Sequence, residues 1–301
     1  MRLDDYRESS NVEEGRGGGL GFGGGMGGGP LGLIIGLIAS RFGLGGIVVV
    51  GIAMLLFGMN PLSLVGLGGG QQVATQGQPG PGGAAAACGA SGERTFACRV
   101  LASTEDTWAK LFAAQGQRYQ PTTMVLYDRG AASGCGAASS AMGPFYCPSD
   151  QRVYLDTSFF DELVTKFGAA GDFAQAYVIA HEVGHHIQTI TGISDRVRAG
   201  QEQASQAEAN ALQVRMELQA DCYAGVWAAN NRDRIEPGDV EEGLRAAQAI
   251  GDDTLQRGAG RTPMPDSFTH GSSAQRMTWL KRGLDTGDPA QCDTFAAGVA
   301  V

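Results

Sequence analysis

The feature that most limits what this chain can become is the run FGLGGIVVVGIAMLLFGM, Phe42 to Met59, 18 residues without a charge. As a helix rising about 1.5 Å per residue, a run of that length reaches about 27 Å, close to the hydrocarbon thickness of a bilayer. A helix buried in a soluble core usually keeps polar residues on some face, and this run has none. A cleaved leader fits poorly, because the preceding region is long and acidic and no clean small-residue cleavage site follows. The reading that remains is one uncleaved anchor. Arg2, Arg7, Arg16 and Arg41 precede the run, and no further Lys or Arg occurs until Arg94. The positive-inside rule then sets the N-terminus in the cytoplasm and everything after residue 60 outside.

Glycine usage divides the chain in the same way, with 26 of the 48 glycines in residues 1–83. Residues 1–30 read as a disordered Gly-rich cytoplasmic tail, since mixed charge and glycine bury too little apolar surface to offset ordering entropy. Residues 31–59 read as the membrane anchor, with its span at about 42–59, and residues 60–87 as a flexible Gly/Gln/Pro/Ala linker. Residues 88–301 have ordinary globular composition and are long enough for a full hydrophobic core. The net charge is −9 with no basic run, which argues against a nucleic-acid partner.

All six cysteines (88, 98, 135, 147, 222 and 292) follow the apolar run. Even number and exported location favour disulfides over free thiols, and the absence of C-x-x-C disfavours zinc binding by cysteine. Cys88–Cys98 and Cys135–Cys147 are the sequence-local pairings, which leaves Cys222 with Cys292, although spacing alone does not fix connectivity.

Three of the four histidines stand together in IAHEVGHH, in a segment from Phe173 to Ile190 whose apolar residues recur at helical spacing. On a helix His181 and His185 lie one turn apart on one face and can reach one metal ion. Glu182, offset by about 100°, sits where a general base would touch a metal-bound water. A catalytic zinc needs a third protein ligand. The helical stretch Gln206–Asn230 supplies Glu217 and, one turn later, Asp221, in MELQADCYAGVW. Glu217 is the candidate ligand, and Asp221 the group that hydrogen-bonds the back of a ligand histidine. Glu202 and Glu208 fall in a polar stretch and read as solvent-facing; His186 reads as a supporting or surface residue rather than a ligand. Upstream, QRVYLDTSFF is rich in β-formers; Val153–Asp156 is either a candidate edge strand for an extended peptide, with Tyr154 near the cleft, or an ordinary core strand, which β-propensity and alternation favour equally.

HEVGHH followed by ELQAD resembles the gluzincin metallopeptidases. GPFYCPSDQRVYLD, FTHGSSAQR and the Gly-rich front end with one span extend the resemblance, over nearly the whole chain, to the bacterial membrane-anchored putative neutral zinc metallopeptidase family. The resemblance implies an α+β zincin-like domain with an active-site helix and a small sheet, one Zn2+ per chain, and hydrolysis of peptide bonds. It names no substrate. THGSSAQRMTWL is also similar to a T-H-P…R…L stretch of the prenyl-protein-processing and heat-shock membrane gluzincins, with Gly271 in place of the proline. That similarity implies oxyanion stabilisation by His270; Arg276 either orders the loop or pairs with Asp266.

These readings converge on a zinc endopeptidase at the outer face of a cytoplasmic membrane. His181, His185 and Glu217 hold the metal and Glu182 moves the proton. The alternative is a membrane-tethered binding or scaffold protein whose structural zinc is closed by a fourth protein ligand, His270 or Asp221. A metal hydrolase acting on another bond has the same ligands. The sequence does not set oligomeric state.

Overall fold

The apolar spacing from Phe173 to Ile187 and the run around Leu218 to Trp227 both become helices in the computed structural model, which describes residues 1–15 and 81–299. Among the described residues the fold is α+β. In chain order the elements are β1 (Val12–Glu14), α1 (Pro81–Cys88), α2 (Gly92–Ala114), β2 (Thr123–Leu126), β3 (Gly130–Ser133), β4 (Gly136–Ser139), β5 (Phe145–Cys147) and β6 (Arg152–Leu155). There follow α3 (Ser158–Thr165), α4 (Asp172–Ile190), α5 (Ile193–Gln201), α6 (Gln206–Ala229), α7 (Asp239–Ala249), α8 (Asp252–Gly258) and α9 (Ser273–Thr286). One sheet has the order β1-β2-β6-β5, with β1, β2 and β6 parallel and β5 antiparallel at an edge. Strands β3 and β4 form a separate hairpin.

Helix α6 starts at a capping box in which Ser205 and Glu208 satisfy each other's backbone donors. Ser272 and Gln275 do the same for α9. Glu208 is therefore exposed, as its polar surroundings imply, but it has a structural task. Val183 and Ile187 of α4 and Leu218, Val226 and Trp227 of α6 are almost wholly buried. Each such side chain stabilises the fold by about 1.5–3 kcal/mol through removal from water.

Small residues set how closely these helices approach. A Cβ on Gly184, inside HEVGHH, would lie 3.0 Å from the Ala220 Cα, so glycine lets α4 rest on the α6 backbone. A Cβ on Gly225 of α6 would stand 2.1 Å from the Leu280 carbonyl oxygen, and one on Gly283 of α9 would stand 1.9 Å from that of Cys222. Helices α6 and α9 thus cross backbone against backbone.

The six cysteines pair as Cys88–Cys98, Cys135–Cys147 and Cys222–Cys292. The second bond ties the β3–β4 turn to the end of β5, and the third fixes the middle of α6 to the C-terminal segment.

Residues 1–15 depart from the expected disordered tail. Leu3 and Val12 are buried, and β1 pairs with β2 in the register Val12↔Met124. Glu13 pairs with Arg152 at 2.8 Å and Glu14 with Arg94 at 2.7 Å. Arg7, Ser9 and Asn11 all donate to the buried Glu105. Charges that read as solvating are partnered, but with groups at least 80 residues away, which composition does not reveal. Among the described residues no helix is long and apolar enough to cross a membrane. The expected anchor, 31–59, and residues 60–80 of the expected linker lie outside the described residues; the end of that linker forms α1.

Candidate active site

Helix geometry puts His181 and His185 one turn apart on α4, and the close α4–α6 approach brings Glu217 against both. Glu217 Oε2 lies 3.2 Å from His181 Nε2 and 3.5 Å from His185 Nε2. The other ring nitrogens are already committed. His181 Nδ1–H donates to Asp221 at 2.8 Å, and His185 Nδ1–H donates to the Gln188 amide oxygen at 2.9 Å. Both Nε2 lone pairs therefore face a carboxylate oxygen, and these ligand atoms lie within 4.8 Å of one another. A cation held between them would satisfy this convergence, and imidazole nitrogen with carboxylate oxygen is a donor set that suits zinc.

The supporting shell is deep and fully bonded. Asp221, with no exposed surface, accepts from Tyr177 at 2.6 Å and from two nitrogens of Arg276, each at 2.8 Å. Burial raises the Asp221 carboxyl, but the Arg276 guanidinium and His181 outweigh it and hold it down at about 2. Arg276 is buried too, so it is not paired with Asp266; the Asp266 carbonyl instead accepts from Asn210. The Gln213 amide donates to the other oxygen of Glu217 at 2.9 Å and fixes the carboxylate's rotation.

Glu182 projects from α4 into the same cleft, beside the two histidines. Its burial raises its carboxyl above the ordinary range despite the neighbouring imidazoles, which suits a group that takes and returns a proton. His270 also faces this cleft, half-exposed. A hydrogen bond to Asp252 is the main influence raising its pKa, with burial opposing. Asp252 Oδ2 in turn accepts the backbone N–H groups of Thr269, His270 and Gly271 and so holds the whole turn.

The cleft measures about 630 Å³ and has apolar walls that include Phe145, Tyr146, Val178, Val197 and Met216. The strand along it is β5, which lies at the edge of the sheet among the described residues, and not β6, which is paired on both sides. Tyr154 accordingly does not reach the cleft. It is buried, stacks on Phe145 with centroids 5.0 Å apart, and donates to Asp150 at 2.7 Å. Of the two readings of His186, supporting or surface, the structure shows the supporting one. His186 is buried, its Nε2–H donates to the Gln120 carbonyl at 2.7 Å, and its Nδ1 accepts from Tyr146 of β5 at 3.1 Å. Gln188, Gln213 and Tyr177 went unread, although each stands about one helical turn from a site residue, at i+3 from His185, i−4 from Glu217 and i−4 from His181.

A family model described as putative neutral zinc metallopeptidase matches residues 1–295. The chain is 48% identical over 301 residues to the uncharacterized protein YpfJ of Escherichia coli, a match that covers 99% of this chain and 100% of that one. It is 43% identical over 225 residues to the uncharacterized protein Rv2575 of Mycobacterium tuberculosis, covering 69% of this chain and 74% of the relative. No solved structure matches it.

Proposed function

Because the chain belongs to the putative neutral zinc metallopeptidase family, we propose that it is a zinc-dependent endopeptidase that cleaves extended segments of protein substrates. The observation that carries this reading is the meeting of three ligand groups at the floor of an open cleft, with a buried carboxylate beside them. His181, His185 and Glu217 hold the metal. Bound zinc supplies Lewis acidity and a water of lowered pKa. Glu182 accepts the proton from the attacking water and delivers it to the leaving amine. His270 donates to the oxygen on which negative charge develops. Asp221 and Gln188 keep both histidines in the tautomer that presents Nε2. The outer edge of β5, at the end of the sheet among the described residues, receives the substrate as an added strand, and the apolar cleft walls favour bulky apolar side chains near the cut.

A structural zinc would require a fourth protein ligand. Asp221, one candidate, spends its oxygens on Arg276, Tyr177 and His181. His270, the other, does not belong to the group of ligand atoms that converge within 4.8 Å of one another, which is His181, His185 and Glu217. The three disulfides favour an oxidising compartment, hence the outer side of the cytoplasmic membrane. The test is hydrolysis of an unfolded model protein by the zinc-loaded full chain. Cleavage should vanish with a chelator, return with zinc, and be lost with the metal in Glu217→Ala. Zinc held firmly with no cleavage of any unfolded substrate would favour the binding protein with structural zinc.

A further inference from the structure

Behind His185 the hydrogen bonds do not end at Gln188. They continue through a second buried glutamine, Gln219 of α6, to the backbone carbonyl of Cys292 in the short helical turn Pro289–Cys292 that follows α9. We propose that Gln219 and the Cys292 carbonyl are positioning groups for the metal site, and that the Cys222–Cys292 disulfide holds this carbonyl where it sets the tautomer and aim of His185. This rests on the reading that His181, His185 and Glu217 hold zinc, and it does not depend on which bond the chain cleaves.

Each hydrogen bond in the row has one possible direction. A carbonyl oxygen accepts and never donates. The Cys292 carbonyl accepts from the Gln219 amide nitrogen at 3.0 Å, so the Gln219 amide oxygen faces the other way, toward Gln188. The Gln188 amide nitrogen has two hydrogens, and it donates to the Met216 carbonyl at 2.7 Å and to the Gln219 oxygen at 3.1 Å. The Gln188 oxygen is left for His185 Nδ1 at 2.9 Å and can only accept. Nδ1 therefore carries the hydrogen, and Nε2 presents its lone pair to the metal. The bond to Met216 alone would leave the Gln188 amide a pivot; the bond to Gln219 fixes its plane. Both glutamines are buried, so turning the Gln219 amide over would set acceptor against acceptor with little solvent to relieve it.

The carbonyl at the end of the row is itself held. The side chain of Cys292 is bonded to Cys222, inside α6. Two residues on, the Thr294 hydroxyl donates to the Arg215 carbonyl at 2.7 Å, and the Thr294 carbonyl accepts from the Arg215 guanidinium. Cys222, Cys292 and Thr294 have no exposed surface.

The test uses the full chain loaded with Co2+, whose visible absorption reports ligand geometry, together with zinc affinity by chelator competition and a thermal melt. Gln219→Met keeps the volume and loses the hydrogen bonds. It should shift the cobalt absorption and weaken zinc binding about tenfold, the lower end of what an outer hydrogen-bond partner of a ligand histidine contributes. Cys222→Ala with Cys292→Ala leaves Gln219 in place and should weaken zinc binding too. Adding Gln219→Met to that pair should weaken it no further than Gln219→Met alone, because both act through one route. A merely structural role would lower the melting temperature of these variants and leave the affinity and spectrum of the folded chains unchanged, which would overturn the proposal. Fully additive losses would also overturn it, since the disulfide would then act through Asp221, next to Cys222, and not through Gln219. Should Gln219→Met fail to fold, Gln188→Ala, which cuts the same route, replaces it in the comparison. A wild-type chain that binds neither metal would overturn the metal site and this proposal with it. A wild type that binds zinc, beside a Gln219→Met chain that binds it equally well, would overturn this proposal alone.

Discussion

At the scale of single residues, the site is a pair of imidazoles each aimed by a hydrogen bond from behind. Gln188 aims His185 and is itself held, since its amide nitrogen donates to the Met216 carbonyl at 2.7 Å and to Gln219 at 3.1 Å. Gln188→Ala should therefore weaken zinc affinity about 10- to 100-fold without unfolding the chain, as read by chelator competition and circular dichroism. Unchanged affinity would mean that the packing of α4 aims His185 unaided. His270 offers a pH test. Its pKa is raised, chiefly by Asp252, so the charged form that supports the oxyanion is fully present below the ordinary histidine value and is lost as pH rises through the raised one. The high-pH fall of kcat/KM should accordingly move to lower pH in Asp252→Asn; an unmoved limb would assign that fall to another group. His181, Glu182 and His185 are legible in the sequence because a ligand pair at i and i+4 needs only one helix. Glu217 and Asp221 are legible because their apolar neighbours mark a second buried helix. Gln188, Gln213 and Tyr177 have the same spacing signal, but glutamine and tyrosine are too ordinary on helices to stand out.

Among elements, the α4–α6–α9 packing brings the parts of the site together, and glycine decides it. Arg276 on α9 reaches Asp221 on α6 only because Gly225 and Gly283 let the two backbones approach. Gly283→Ala would place a methyl against the Cys222 carbonyl, and overpacking of this kind costs about 1–3 kcal/mol or more. Chemical denaturation should show that loss, together with weaker zinc binding as Arg276 is drawn from Asp221. A fully stable variant would show that the crossing has slack. Sequence periodicity identifies the apolar helices but not which strand lies at an edge. β5 holds three residues, too short to be told from a loop, and its place follows from pairing with β6 alone. The expectation that β6 receives substrate fails for that reason: β-propensity marks strands that are well paired as readily as those that are free.

For the whole molecule, the family and the α+β class are legible from motif and composition. The joining of residues 1–15 to the domain is not, since it depends on pairs such as Arg152–Glu13 and Arg94–Glu14, far apart in the chain. That joining also fixes the proper material for enzymology: a fragment starting after the apolar run would lack β1 and the partners of Glu105. The central claim is that this chain hydrolyses peptide bonds with Glu182 as its base, and the most direct measurement compares the zinc-loaded full chain with Glu182→Gln on an unfolded protein substrate, with metal content assayed in both. The account predicts that the variant keeps its zinc and loses about two to four orders of magnitude in rate. Cleavage at an undiminished rate by a zinc-loaded Glu182→Gln chain would contradict it.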